Sequence, residues 1–360
     1  MMNFSFNTPI FAGRLLDLIP EIANDGSKNI LLLTSKTINL IAEVEEFVAE
    51  LKKNKAITVH FIDPEAPLKK LESIVVNTIK PDLIIAIGGG SVIDSAKAIS
   101  LGWQNATMAE ILYKKKAFPL SKIKVIAVPT TAGTGAELSF GAILTDKENH
   151  FKGGIRSPLI VPDLVVIDKY LYNGASAKLK AEVGFDCLTH AVETYVSKIS
   201  SPFVKYQSVN CIGRIFSSLM DAVDGDLDAM ESIAISSCIM GVNLSYSSTC
   251  LPHRMQYALG PITNTSHAKG LIVLYEGWLP MIRSQAIFSE LANNFKLHAD
   301  QFINKLKELK VNLDIDYSLG DWNVDEIMID QMTNAVTGTV EFDPCYESKE
   351  TIRNIFINSL

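Results

Sequence analysis

Cysteine is scarce in this chain. Its 360 residues hold five, Cys187, Cys211, Cys238, Cys250 and Cys345, an odd number with no short paired spacing. A disulfide framework is therefore a poor reading, and reduced, buried thiols of a cytoplasmic protein are expected. Positive charge is also short: 33 Lys and Arg stand against 40 Asp and Glu, for a net charge of −7. That balance argues against non-specific binding to nucleic acid, which needs a basic surface. No uninterrupted apolar run reaches the roughly eighteen residues that span a bilayer. The richest, Leu271 to Ile282, contains Glu276 and Pro280 and reads as a buried helix, so no membrane partner is expected. Met1 to Asn7 carries neither a basic n-region nor an apolar h-region, so no secretory leader is expected. Fixed-period repeats and low-complexity tracts are lacking too.

What is present is core-forming sequence, 48% apolar and 20% charged. At this length two domains are the default expectation. The first half alternates short apolar runs with helical periodicity. Strands are expected at 29–34, 56–61, 82–87 and 125–128, and helices at 38–53 and 68–79. The nearly continuous Ile, Leu and Ala of 82–87 marks a strand buried on both faces of a parallel sheet. Repeated strand–helix units of this kind predict a doubly wound α/β sheet. Further strands are expected at 140–145 and 159–167, with Lys147-Glu-Asn as the turn between them. From Ser176 onward little strand signal remains. Helices are expected at about 177–198, 202–221, 227–248, 266–281, 285–295, 299–309, 325–336 and 348–358. The expected domains are 1–173, an α/β unit, and 174–360, an all-α unit.

Two loops in the first half carry chemistry. After the strand ending at Ile87 comes Gly88-Gly89-Gly90-Ser91-Val-Ile-Asp94-Ser-Ala-Lys97. A strand, a glycine turn and a helix start bring free backbone N–H groups and the helix dipole to one place, which suits a phosphate. Glycine lets the backbone approach an anion without a Cβ in the way. Asp94 stands at capping-box distance from Ser91, and holding the turn together is its plain structural role. The second loop is Pro129-Thr130-Thr131-Ala-Gly-Thr134-Gly-Ala-Glu137, a donor-rich segment leaving a strand. Ligands bind at the carboxyl ends of strands in open α/β sheets, and both loops lie there.

In the second half, Asp186 and His190 stand four apart in Gly184-Phe-Asp-Cys-Leu-Thr-His-Ala-Val-Glu193, so they share a helix face. His253 and His267 flank an expected loop, Gly260 to Ser266, that folds one back toward the other. One carboxylate and three imidazoles suit Fe²⁺, Zn²⁺ or Mn²⁺ better than Mg²⁺ or Ca²⁺. The plainer alternative is a surface Asp/His pair and two capping or core histidines.

Together these stretches resemble the iron-containing (group III) alcohol dehydrogenase family, from Phe11-Ala-Gly-Arg near the start to Glu350-Thr-Ile-Arg-Asn-Ile near the end. The resemblance implies a Rossmann-like dinucleotide-binding domain followed by an all-α catalytic domain, the fold shared with the dehydroquinate synthases. It implies Asp186, His190, His253 and His267 as metal ligands. It implies Gly88, Gly89, Gly90, Ser91 and Asp94 at the pyrophosphate turn, Thr130, Thr131 and Thr134 on the nicotinamide side, and Lys152 and Leu171 against the nucleotide. A homodimer and a small alcohol or aldehyde substrate are implied as well. Two positions depart from the family pattern. Tyr257 stands where a second histidine commonly sits four residues after the third ligand; its phenol is a candidate proton donor, though an ordinary pKa near 10 makes it a weaker shuttle at neutral pH. Ser35, followed by Lys36, stands where NAD-using members place an acid, which removes repulsion toward a 2′-phosphate and leans the cofactor from NADH to NADPH.

The expected activity is metal-dependent hydride transfer between NAD(P)H and a small alcohol or aldehyde, with the metal as Lewis acid. Arg254, directly after a proposed ligand, points to an anionic aldehyde such as phosphonoacetaldehyde or a semialdehyde. The alternatives are a glycerol dehydrogenase or a dehydroquinate synthase-like enzyme, for which Arg254, Lys269 and Arg283 are the few basic candidates in the helical half. A non-catalytic nucleotide-binding protein ranks last.

Overall fold

The structure is a computed structural model and describes residues 6–103, 107–149 and 151–360. The chain forms two compact units, Met1–Ser176 and Ala177–Leu360.

In the first unit the strands are β1 (Ile10–Ala12), β2 (Asn29–Thr34), β3 (Ala56–Phe61), β4 (Leu83–Gly88), β5 (Lys124–Pro129), β6 (Gly141–Asp146), β7 (Phe151–Arg156) and β8 (Leu164–Ile167). Between them run α1 (Ile19–Asn24), α2 (Ala42–Leu51), α3 (Leu68–Asn77), α4 (Gly90–Ile99) and α5 (Met108–Leu112). Six strands make one sheet in the order β1-β8-β5-β4-β2-β3, and every pairing is parallel. All six residues of β4 are buried, as its unbroken apolar sequence requires of a strand covered on both faces. The chain leaves β2 toward β3 on one side and returns to lay β4 on the other. The order therefore reverses at β2 and β4, and ligands of such sheets sit beyond strand ends at that reversal. One face of the sheet closes over a core that includes Leu15, Leu32, Phe47, Ile85 and Val128.

Two expectations need correction here. Residues 159–167 are not one strand: Pro158 opens a short 3-10 turn through Ile160, and only Leu164–Ile167 joins the sheet. The partner of β6 is instead β7, in an antiparallel hairpin. Lys152, Gly153, Gly154 and Arg156 break the apolar alternation that would have marked β7 in the sequence.

The second unit contains α6 (Ala177–Val196), α7 (Pro202–Asp224), α8 (Leu227–Tyr246), α9 (Leu251–Thr263), α10 (His267–Ile282), α11 (Ala286–Asn293), α12 (Ala299–Asn312), α13 (Glu326–Ala335) and α14 (Lys349–Asn358). Among the described residues it has no strand. Helix α6 runs through the middle: every residue from Gly184 to Val196 is buried. Gly184 is needed for that packing, since a Cβ there would come within 2.2 Å of Leu219 on α7.

Helix α8, expected at about 227–248, is long and apolar enough by length and composition to cross a bilayer, although Asp228 and Glu231 interrupt its apolar sequence. It packs along α6 and α7 within this unit, and half of its apolar window is buried there. Helix α9 was not expected. The turn thought to run from Gly260 to Ser266 is only Asn264 to Ser266, with Asn264 in the left-handed conformation and Ser266 capping α10. Pro252 and Pro261 obscured the helix in the sequence. Pro252 lies in the first turn, where a missing N–H costs nothing.

Candidate metal centre and nucleotide cradle

Three helices deliver the acid and the histidines to one place. Asp186 and His190 lie one turn apart on α6, His253 lies in the first turn of α9, and His267 is the first residue of α10. The short turn between α9 and α10 reverses the chain and brings His267 beside His253, with ring centroids 5.4 Å apart. Ligand atoms of Asp186, His253 and His267 all lie within 4.8 Å of one another. His190 flanks this group. Its ring stacks on His253 at 4.4 Å, and its Nδ1 is 3.7 Å from Asp186 Oδ1.

Charge and hydrogen bonding set the state of these groups. Burial alone would raise the Asp186 pKa, but the imidazoles of His190, His253 and His267 hold it down at about 2, so the carboxylate is ionised. Burial alone would depress His253. The Glu193 carboxylate, with Asp186 on the other side, overrides it and holds the His253 pKa up at about 9. His253 Nδ1 donates to Glu193 Oε1 at 2.8 Å, which turns Nε2 toward Asp186 at 3.6 Å. That Nε2 is buried and has no hydrogen-bond partner. A buried nitrogen aimed at a carboxylate and a second imidazole is a fit for a divalent first-row metal, whose ligand set it matches. His267 is turned in the same way: its Nδ1 donates to Gln256 Oε1 at 2.6 Å. Gln256 is held by two close glycines, since a Cβ on Gly270 would lie 2.9 Å from its Cγ and one on Gly260 would lie 3.1 Å from its Nε2.

Tyr257 lies one turn after His253, its ring nearly parallel to His267 at 6.1 Å. The Arg254 guanidinium is 6.0 Å from the Tyr257 ring, and its Nη2 donates to Thr249 Oγ1 at 2.8 Å. Gly338, at φ +99°, makes room for it; a Cβ there would come within 3.2 Å of Arg254 Cδ.

In the first unit the glycine turn and the threonine loop adjoin, because Gly88 of β4 pairs with Pro129 of β5. They touch closely. A Cβ on Gly89 would be 2.9 Å from Thr131 Oγ1, and one on Gly90 would be 2.9 Å from Thr134 Oγ1. Thr130 is buried, while Thr131 and Thr134 are half-buried. Helix α4 begins at Gly90 with Gly89 as its N-cap, so Ser91 and Asp94 do not form the expected capping box. Ser91 Oγ instead accepts from Glu65 N at 2.9 Å, and Asp94 accepts from Ile143 N at 2.9 Å. Burial raises the Asp94 pKa to about 6 against the pull of Lys97. The fully buried Lys97 Nζ donates to the carbonyls of Ala136, Ser139 and Gly141, which ties α4 to the end of the threonine loop. Lys152 lies on β7 and pairs with Glu65. Ser35 follows β2 and accepts from Ile38 N at 3.2 Å, with Lys36 exposed beside it. Leu171 is fully buried in the hydrophobic core.

Sequence reasoning missed Glu193, Gln256 and Glu65 as members of these clusters. Glu193 lies three residues after His190 and seven after Asp186, and a second acid on the face of the proposed ligands was a usable signal. Gln256, a lone amide three residues after His253, was a weaker one. Glu65 had none, since only the fold brings its loop to Ser91.

Comparison with known proteins covers both units. The family profile described as iron-containing alcohol dehydrogenase matches residues 8–169, and that described as the C-terminal domain of the Fe-containing alcohol dehydrogenase family matches residues 180–360. The NADPH-dependent butanol dehydrogenase of Clostridium saccharobutylicum is 27% identical, over 99% of this chain and 97% of its own. The lactaldehyde reductase of Escherichia coli K12 is 30% identical, over 71% of this chain and 69% of its own. Among solved structures, the iron-containing alcohol dehydrogenase of Thermococcus thioreducens superposes with a TM-score of 0.86 at 25% identity, over 99% of each chain.

Proposed function

The chain belongs to the iron-containing alcohol dehydrogenase family, and on that premise we propose that it is a metal-dependent, NAD(P)H-linked aldehyde reductase acting on small anionic aldehydes. The observation that carries the proposal is the convergence of Asp186, His253 and His267 around a buried imidazole nitrogen that lacks a partner. Asp186, His190, His253 and His267 are the proposed ligands of Fe²⁺, with Zn²⁺ and Mn²⁺ as substitutes. Bound there, the metal supplies a Lewis acid for the substrate oxygen, and the nicotinamide supplies the hydride.

The rest is the work of this chain's residues. Glu193 and Gln256 keep protons on the Nδ1 atoms of His253 and His267, which leaves both Nε2 atoms as donors of lone pairs. Tyr257, stacked beside His267, offers its phenol proton to the oxygen that gains charge as the carbonyl is reduced. Gly88, Gly89, Gly90 and Ser91 face the pyrophosphate with backbone N–H groups, and Thr130, Thr131 and Thr134 take the nicotinamide side. Ser35 and Lys36 tolerate a 2′-phosphate, which favours NADPH.

Arg254 gives the substrate its sign. Its guanidinium is pinned by Thr249 and lies against the ring that stacks on His267. The other basic candidates are engaged elsewhere: Lys269 is near Glu182, and Arg283 pairs with Asp300. A single cation suits one carboxylate or phosphonate rather than the several anionic groups of a cyclisation substrate.

The test is absorbance at 340 nm with Fe²⁺-loaded enzyme, NADPH or NADH, and matched neutral and anionic aldehydes. Turnover should vanish with chelator, and Arg254→Met should lower kcat/KM for phosphonoacetaldehyde or a semialdehyde at least tenfold more than for butanal. Equal losses on both would refute the anionic reading. Full activity after exhaustive chelation would refute the metal site.

A further inference from the structure

The loop after β3 brings a negative charge to a cradle proposed for an anion. In Asp63-Pro64-Glu65-Ala66-Pro67, Glu65 and Ala66 have φ of +69° and +46°, two consecutive non-glycine residues in the left-handed region. L-residues seldom adopt that conformation, so surrounding contacts must hold it. Thr145 N donates to Ala66 O at 3.2 Å, and Pro67 bridges to Thr145. Glu65 N donates to Ser91 Oγ at 2.9 Å, in the glycine turn itself. The Glu65 carboxylate meets Lys152 Nζ at 3.2 Å. The Lys152 side chain is only 8% exposed, whereas that of Glu65 is 40% exposed. The lysine is thus a fixed, buried cation, and the carboxylate lies on it from the solvent side. Glu65 thus joins Lys152 to the glycine turn, through its carboxylate on the one and its backbone N–H on the other.

We infer that Glu65 limits the affinity of this cradle for dinucleotides by occupying Lys152 in the free protein and opposing the incoming pyrophosphate. The inference rests on the reading of Gly89 to Ser91 and Lys152 as nucleotide contacts. A pyrophosphate brings two negative charges, and the lysine it would meet is already neutralised by Glu65. Binding then requires either that the pair separate or that two anions share one cation.

Glu65→Gln tests this, because it removes the charge and keeps the backbone N–H on Ser91. The measurement is NADPH and NADH fluorescence titration of the full-length chain in low salt. Glu65→Gln should bind both about three- to tenfold more tightly, and the gain should shrink as salt rises. Lys152→Met should bind more weakly, and adding Glu65→Gln to it should gain less than it does in the wild type, since the part of its effect that runs through Lys152 is gone. All variants should remain folded, and Co²⁺ binding by the helical unit should match the wild type in each. Unchanged or weaker binding by Glu65→Gln, with wild-type protein binding normally, overturns the inference alone. Wild-type protein that binds neither nucleotide overturns the nucleotide reading and this inference with it.

Discussion

Glu193 accepts three hydrogen bonds without exposing any surface: from His253 Nδ1, from Cys250 N and from the Tyr275 hydroxyl. Its charge, more than its shape, reaches the cluster. Glu193→Gln should keep the packing but weaken Co²⁺ affinity about 10- to 100-fold, the usual cost of losing a carboxylate behind a ligating imidazole. Wild-type affinity in that variant would show that Glu193 serves packing alone. The same carboxylate fixes a pH dependence. Held at about 9 in the metal-free protein, His253 carries a proton that metal must displace. Metal affinity should therefore rise with pH across the neutral range and level off near that value. The sign for stability is opposite. A base whose folded pKa lies above its unfolded value near 6.5 stabilises the metal-free fold below 6.5, and that contribution is lost as pH rises through about 9. Tyr257 allows a separate test. If its phenol delivers the proton, Tyr257→Phe should lower kcat for aldehyde reduction by at least tenfold at unchanged Co²⁺ affinity. An unaltered kcat would leave the ring as a wall of the site.

At the scale of elements, the glycine turn works through close approach rather than unusual dihedrals. Gly89 has φ −78°, which any residue could adopt, yet its missing Cβ is what admits Thr131. Gly89→Ala should push the threonine loop away from α4, raise KM for the nucleotide and destabilise the chain by about 1–3 kcal/mol, as overpacking does. Adding Thr131→Ala should recover the stability, because it removes the colliding hydroxyl and methyl. It should not recover the KM, because Thr131 is itself a proposed contact. A Gly89→Ala protein with wild-type stability would mean that the two loops adjust independently.

Across the whole molecule, the effect of the proposed metal should be confined to the unit that holds its proposed ligands. Metal at a hundredfold excess over its Kd contributes about 2.7 kcal/mol to the state that binds it. Removing it should speed amide exchange in α6, α9 and α10, which carry the proposed ligands, and leave exchange in β2, β4 and β5 unchanged. Equal deprotection of the sheet would contradict a site built from the helical unit alone. Pattern and position in the chain already contained much of this layout. Buried apolar runs marked β2, β4 and β5, and the spacing of Asp186 and His190 set them on one face of α6. Other parts were illegible for definite reasons. Helix α9 was hidden by prolines that its first and last turns tolerate, and β7 by the glycines and charges of a hairpin covered on one side only. The sequence by itself determined the parallel sheet, the helical second half and the residues able to hold a metal, because periodicity and donor chemistry are local properties. Only the tertiary structure decided that Glu193 and Gln256 aim the imidazoles and that Glu65 faces Lys152, because those pairs join segments that periodicity cannot relate.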